Sequence, residues 1–358
     1  MAKIVTIREV RRFIIQSLRA AGGRDAQCED LADVLVAADV RGHYSHGLNR
    51  LEMYCEDYQR GTSDKDASPV TEKETAATAL VNGNNCLGAT VGKYCMNLAI
   101  QKSKEIGVGV VTAKGSNHFG IAGFYGLMAK EAGLVGISLT NTSPLQVPTR
   151  GKVCTLGTNP ISVIAPALGD DYFALDMATS AVAIGKVEVQ RRKGEELPAG
   201  WGCDVNGIEA KDATDVIVDG GLFPLGGPEI SGGYKGYGLA LMVEMFVGIL
   251  SGAHWGPHIR KWQAPNETRT ADLGQFFMAL NPAVFGEGFS ERLQLLMDYH
   301  RALEPIAGVD SVLVPGDPER SHETLCRDSG GIPYHEALIR DMGIFAEKIK
   351  VDPMETLD

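Results

Sequence analysis

Apolar residues recur at helical spacing through the first sixty positions. Val10, Phe13, Ile14 and Leu18 share one face, Thr6 and Glu9 ahead of them match a capping box, and Gly22-Gly23 ends the run. Leu31, Leu35 and Ala38 continue the period in a second helix that Asp25 can cap. Leu48, Leu51, Tyr54, Cys55 and Tyr58 predict a third, with Ser45 as N-cap and Gly61 as its stop. A polar stretch, Thr62 to Ser68, closes this helical segment, residues 1–68.

From residue 69 the pattern changes to alternating strands and helices. Thr78–Asn84 reads as strand and turn, Leu87–Ile106 as helix, Val108–Thr112 as strand, Phe119–Ala132 as helix before Gly133, and Leu134–Thr140 as strand. Ile161–Ala165 and Tyr172–Leu175 predict a hairpin turning at Gly169-Asp170-Asp171, and Ala183–Arg192 a helix. Residues 193–235 read as loop-rich and complete a second segment, 69–235. The third, 236–358, begins with an apolar run, Gly238–Leu250, that predicts a buried helix. Gln275–Leu280 and Ser311–Val314 follow as strands, and Ser290–Leu303 and Glu336–Lys348 as helices. The expected fold class is α/β, and the hairpin means the sheet need not be purely parallel.

Composition narrows the function classes. The chain has 358 residues, 44% of them hydrophobic, enough for a large core in two or three subdomains. A net charge of −11 argues against nucleic-acid binding through a general basic surface, but not against a local cationic pocket for a small anion. Seven scattered cysteines with no C-x-x-C pair predict reduced thiols. With no apolar signal core at Met-Ala-Lys-Ile-Val and no stretch near the roughly 18 apolar residues of a membrane span, a cytoplasmic location is expected.

The densest chemistry lies at Ser45-His46-Gly47 and Arg50. If the third helix starts at Ser45, His46 falls in its first turn and Arg50 one turn further on the same face, beside free N–H groups and the positive dipole end. That pairing suits a substrate with a carboxylate and an exchangeable proton; a capped surface helix with an incidental His and Arg fits the same residues. His118, in Gly115-Ser-Asn-His-Phe-Gly120, occupies a strand-to-helix loop where a site or a capping turn can form. Thr158 belongs to a rigid polar turn, Leu156-Gly-Thr-Asn-Pro160. Asp176, at the end of a strand, can orient an imidazole, hold a ribose hydroxyl or cap a helix. The glycine-rich Gly232–Gly238 segment with Lys235 can approach an anion or pack closely, and Pro315-Gly-Asp-Pro318 is a weaker case. No G-x-G-x-x-G, P-loop, H-E-x-x-H or G-x-S-x-G signature is present. His254 and His258 are separated by Gly256-Pro257, a poor metal pair. Arg191-Arg-Lys193 reads as a solvated run, or as a partner for an adenosine 2′-phosphate.

In this order the motifs resemble the malate/L-lactate dehydrogenase family of the non-Rossmann type, which includes sulfolactate and ureidoglycolate dehydrogenases, diketogulonate reductase and piperideine-carboxylate reductase. The matching pieces are Ser45-His46-Gly47 with Arg50, Ser116–Tyr125, Leu156–Pro160, Asp176–Ser180, Gly200-Trp-Gly202, Lys235–Gly238 and Pro315-Gly316, spanning roughly residues 5 to 345. The resemblance implies a non-Rossmann NAD(P)-binding fold on a mixed sheet, a helical N-terminal subdomain packing with C-terminal helices, and an intertwined homodimer with the site near the subunit contact. It implies NAD or NADP, NAD slightly favoured, no metal, and a small carboxylate substrate. By position, His46 resembles the acid/base histidine, Arg50 the carboxylate clamp with Ser45 and Thr158 as substrate contacts, and His118 the second active-site histidine. Asp176 (also counted as catalytic), Met177, Ala178, Lys235, Gly236, Gly316 and Asp317 resemble cofactor contacts. The implied reaction is hydride transfer between C2 of a malate-like 2-hydroxy acid and nicotinamide. Reduction of a cyclic 2-imino acid and a non-catalytic NAD(P)-binding dimer are the alternatives. Pro148-Thr-Arg-Gly-Lys152 is more basic than the glycine-rich form the family would place there.

Overall fold

The computed structural model describes residues 2–261 and 268–357. A short strand β1 (Ala2–Val5) precedes helix α1 (Ile7–Ala20). Thr6 caps α1 by accepting the Glu9 N–H, but Glu9 completes no capping box: its carboxylate goes to Arg12 and to the Glu355 N–H. Helix α2 (Asp25–Val40) has no side-chain cap, and Asp25 pairs with Arg19 instead. The third helix is shorter than its apolar spacing predicts. Residues 44–50 form two 3₁₀ turns before α3 (Leu51–Arg60), so Ser45 caps no helix. Gly47 leaves the helical region at ψ −138°, and the Leu48 N–H is taken by the Asp39 carboxylate. Gly61 ends α3 in the left-handed conformation, as glycine readily does.

Alternation follows as β2 (Val70–Glu74), β3 (Thr78–Asn82), α4 (Gly88–Ile106), β4 (Val108–Ser116), α5 (Gly123–Glu131), β5 (Val135–Thr140), β6 (Ile161–Pro166), β7 (Tyr172–Met177) and α6 (Ile184–Lys193). Helix α5 begins four residues later than its apolar pattern, because Gly120 turns the chain at φ 79° and Asp176 captures the Gly123 N–H. The loop-rich stretch contains β8 (Gly202–Cys203), α7 (Ala213–Val218) and β9 (Gly221–Leu222). Then come α8 (Gly233–Glu244), β10 (Leu273–Leu280), α9 (Phe289–Arg301), α10 (Asp317–Asp328), β11 (Ile332–His335) and α11 (Glu336–Ile349). Ser311–Val314 is not a strand; the Asp317 carboxylate takes the Val314 N–H at the start of α10.

The main sheet has the order β2-β3-β4-β10-β5-β6-β7 and is mixed, parallel only between β3 and β4. Its two faces are covered separately, as period-two alternation demands. Phe277 and Ala279 of β10 join Val111 and Ala113 in a core shared with α1 to α5. Phe276 points the other way, against Leu139 and against Val243 and Val247. Those two valines belong to α8 and the π turn, Met245–Ile249, that extends it. The apolar α8 run is not buried all round: Tyr234, Leu241, Met245 and Ile249 are between 44% and 58% exposed along one face. β1 pairs with β11, tying the two ends of the chain together. Among the described residues no helix is long and apolar enough to cross a membrane.

Strands β4, β5 and β7 run one way, and β6 and β10 the other. The carboxyl ends of the first three therefore meet the amino ends of the other two at one edge, where the polar loops collect.

Candidate active site

That edge opens into a cavity of about 1130 Å³. Its wall takes His118 from the loop after β4, Thr140, Thr142 and Ser143 from β5 and its loop, Thr158 and Pro160 ahead of β6, and Asp176, Met177 and Ala178 from β7. The 3₁₀ segment between α2 and α3 delivers Ser45, His46 and Arg50.

The two histidines lie face to face, ring centroids 5.8 Å apart and planes 19° from parallel. Ser45 Oγ is 2.8 Å from His46 Nδ1, leaving Nε2 as the other ring nitrogen for chemistry. His118 Nδ1 lies 2.6 Å from the Tyr54 hydroxyl and accepts the Gly120 N–H at 3.3 Å. An accepting Nδ1 puts the proton of neutral His118 on Nε2. Tyr54 carries a second role that its apolar spacing hid: the ring is buried core, and the hydroxyl meets His118 Nδ1.

Both imidazoles are held neutral. Burial, then the Arg50 and His43 charges, lower His46 to about 4, and burial with His46 and Arg50 puts His118 well below its usual value. The cause is not a helix dipole, since α3 begins only at Leu51. Arg50 Nε donates to the Ser45 carbonyl at 2.7 Å and Nη1 approaches Met53 Sδ at 3.5 Å. No carboxylate among the described residues pairs with its guanidinium, which lines the cavity as a cation open to an anion.

Asp176 Oδ2 accepts the Gly123 N–H at 2.8 Å, so it caps α5 and bonds neither histidine; burial raises its carboxyl to about 6. A second group of cations, Lys152, Lys261 and Arg269, reaches the same cavity. Arg260, also in the wall, is held by Asp57 at 3.3 Å. Four residues expected at a cofactor lie outside the wall of this chain. Lys235 is exposed on α8 with its ammonium 5.8 Å from the Tyr234 ring, and Gly236 packs on the Leu225 backbone. Gly316 precedes α10 at φ 102°, and Asp317 is bound by Arg301 and Arg320. Gly316 and Asp317 remain close to β7, because the Ala174 N–H donates to Pro315 O at 3.0 Å. One feature the sequence hid is the start of α6. Ala183, Ile184 and Gly185 line the cavity, and no side chain caps that helix. His254 faces Asp272 at 3.7 Å, and no cluster of three or more His, Cys, Asp or Glu placed to hold a metal occurs among the described residues.

Stacked neutral histidines, an open guanidinium and space beyond one small ligand define a site for proton exchange on an acid. The malate/L-lactate dehydrogenase family model matches residues 5–343. Malate dehydrogenase of Pyrococcus abyssi is 38% identical over 97% of this chain and 95% of its own, and malate/(S)-sulfolactate dehydrogenase of Methanothermus fervidus 36% over 98% and 99%. The solved malate dehydrogenase from Pyrococcus horikoshii OT3 superposes with a TM-score of 0.90 at 34% identity, covering 99% of this chain and 97% of that one. The chain belongs to the malate/L-lactate dehydrogenase family, and it is an NAD(P)-dependent oxidoreductase of 2-hydroxy acids.

Proposed function

We propose that the cavity interconverts a malate-like 2-hydroxy acid, one with a second acidic group, and its 2-oxo acid. The observation that carries this is the neutral His46–His118 pair beside the open guanidinium of Arg50. Arg50 holds the C1 carboxylate; His46 takes the C2 hydroxyl proton during oxidation and returns it during reduction. His118, its proton on Nε2, donates a hydrogen bond to the same oxygen. Lys152, Lys261 and Arg269 give the distal acidic group a second cationic wall.

The cavity fits a dinucleotide as well. It exceeds the roughly 300–1,000 Å³ of a pocket for one small molecule. The uncapped start of α6 offers backbone N–H groups to a phosphate, and Asp176 offers a carboxylate to a ribose hydroxyl. When bound, the nicotinamide supplies or accepts the hydride. NAD is favoured over NADP, because the charged residue of α6 that lines the cavity is Glu188, whose carboxylate repels a 2′-phosphate, whereas Arg191, Arg192 and Lys193 lie outside the wall. The exposed apolar face of α8, with Lys235 at its start, suits burial against a second copy in a homodimer. The seven thiols are all unpaired, as a reducing cytoplasm would keep them.

A substrate panel tests the assignment. With NADH, oxaloacetate is reduced at least about tenfold more efficiently than pyruvate, the scale of one hydrogen bond to a charged group, and a cyclic 2-imino acid is the poorest. Preference for the imine would make the chain an imino-acid reductase using the same side chains; nucleotide binding without turnover would leave a binding dimer.

The pH profile follows from the imidazole. With His46 at about 4, its protonation lowers kcat/KM for hydroxy-acid oxidation only below about pH 5. Reduction needs the protonated form, so its kcat/KM falls about tenfold per pH unit above 4. Asp176 faces the same cavity at about 6, and Asp176→Asn separates its step from that of His46. An oxidation limb near 6.5 that survives Asp176→Asn would show a solvated His46.

A further inference from the structure

Asp39 is completely buried in the last turn of α2 and does not line the active-site cavity. One carboxylate oxygen accepts the Leu48 N–H at 2.9 Å and the Tyr334 hydroxyl at 2.6 Å. The other is buried with no hydrogen-bond partner among the described residues. It presses on Gly47, where any Cβ would overlap the carboxyl, so only glycine fits there. A buried carboxyl with an idle oxygen is destabilising, and burial pushes its pKa to about 7.

What the carboxyl does is join three segments: α2, the 3₁₀ segment bearing the site, and β11. Leu48 lies between His46 and Arg50, and its N–H is the one held from below. Arg50 Nε returns to the Ser45 carbonyl, and Ser45 Oγ meets His46 Nδ1. The segment is thus a closed loop anchored at the Asp39 carboxyl.

We propose that Asp39 is the positioning residue of this site, setting His46 and Arg50 against His118 through the Leu48 N–H without meeting substrate. It rests on the roles given to His46 and Arg50 above. Tyr334 steadies the carboxyl from β11, so the C-terminal segment bears on the site although no residue of β11 lines the cavity.

Three variants test this: Asp39→Asn, Asp39→Ala and Tyr334→Phe, assayed by oxaloacetate reduction, by NADH titration and by circular dichroism. Asp39→Asn keeps an acceptor oxygen for Leu48 and Tyr334. It should retain kcat within about threefold. Asp39→Ala should lose roughly 10- to 100-fold in kcat, the scale of a misplacement near 1 Å, with NADH affinity within about twofold. Wild-type kcat in folded Asp39→Ala overturns the proposal. So does an Asn variant as impaired as the Ala variant, since that would make the charge, not the anchor, matter. If Asp39→Ala does not fold, Tyr334→Phe carries the test: lowered kcat at unchanged NADH affinity supports it, and wild-type kcat overturns it. A fully active His46→Ala would instead sink the underlying assignment of the site.

Discussion

His46→Ala should lose roughly 100-fold or more in turnover while binding NADH as tightly as the unsubstituted chain. The base must be neutral, near the substrate and free at one nitrogen. His46 meets all three conditions: lowered to about 4, it lines the cavity, and only its Nδ1 is engaged, by Ser45. His118 cannot simply replace it. The Gly120 N–H donates to His118 Nδ1 and Tyr54 sits on the same nitrogen, so its Nε2 carries a proton and cannot take another while the ring is neutral. Steady-state rates in both directions, with nucleotide titration by fluorescence, make the check. Near wild-type turnover in folded His46→Ala would move proton exchange to His118.

Local signals in the sequence carried far where the structure is local. The α1 run, the β6–β7 hairpin and the strand–loop–helix around His118 follow directly from period and turn residues. The 43–50 segment shows where that fails. Its residues announce a site, but a helix from Ser45 does not form, because an acid on another element removes the Leu48 N–H from any helical ladder. Helix α10 is mostly polar and offers no apolar period, and β1 and β11 pair across the whole chain length. Glycine-rich motifs carry two readings at once. Gly233 and Gly236 permit close packing on Gly227 and Leu225, a demand that looks the same in sequence as an anion cradle. The start of α6, bland as Ala-Ile-Gly, lines the cavity with no such signal in the sequence.

Arg50→Lys should lower kcat/KM for oxaloacetate roughly 10- to 100-fold even though the charge remains. The guanidinium serves two partners at once. Its Nε is spent on the Ser45 carbonyl at 2.7 Å, which leaves the terminal nitrogens to meet a carboxylate. A lysine ammonium reaches one of these partners or the other. Losing a hydrogen bond to a charged group costs about 1.5–3 kcal/mol, which sets that range. The Ser45 tether goes with it, and Ser45 positions His46 Nδ1, so kcat should fall along with the rise in KM. Arg50→Ala adds a second readout. Arg50 is the foremost charge holding His46 down, after burial. Removing it should move the acid limb of oxidation to higher pH, while Arg50→Lys leaves that limb near its original place. Unchanged kcat/KM in Arg50→Lys would make Arg50 a tether only, and an unmoved limb in Arg50→Ala would leave burial as the sole cause of a neutral His46.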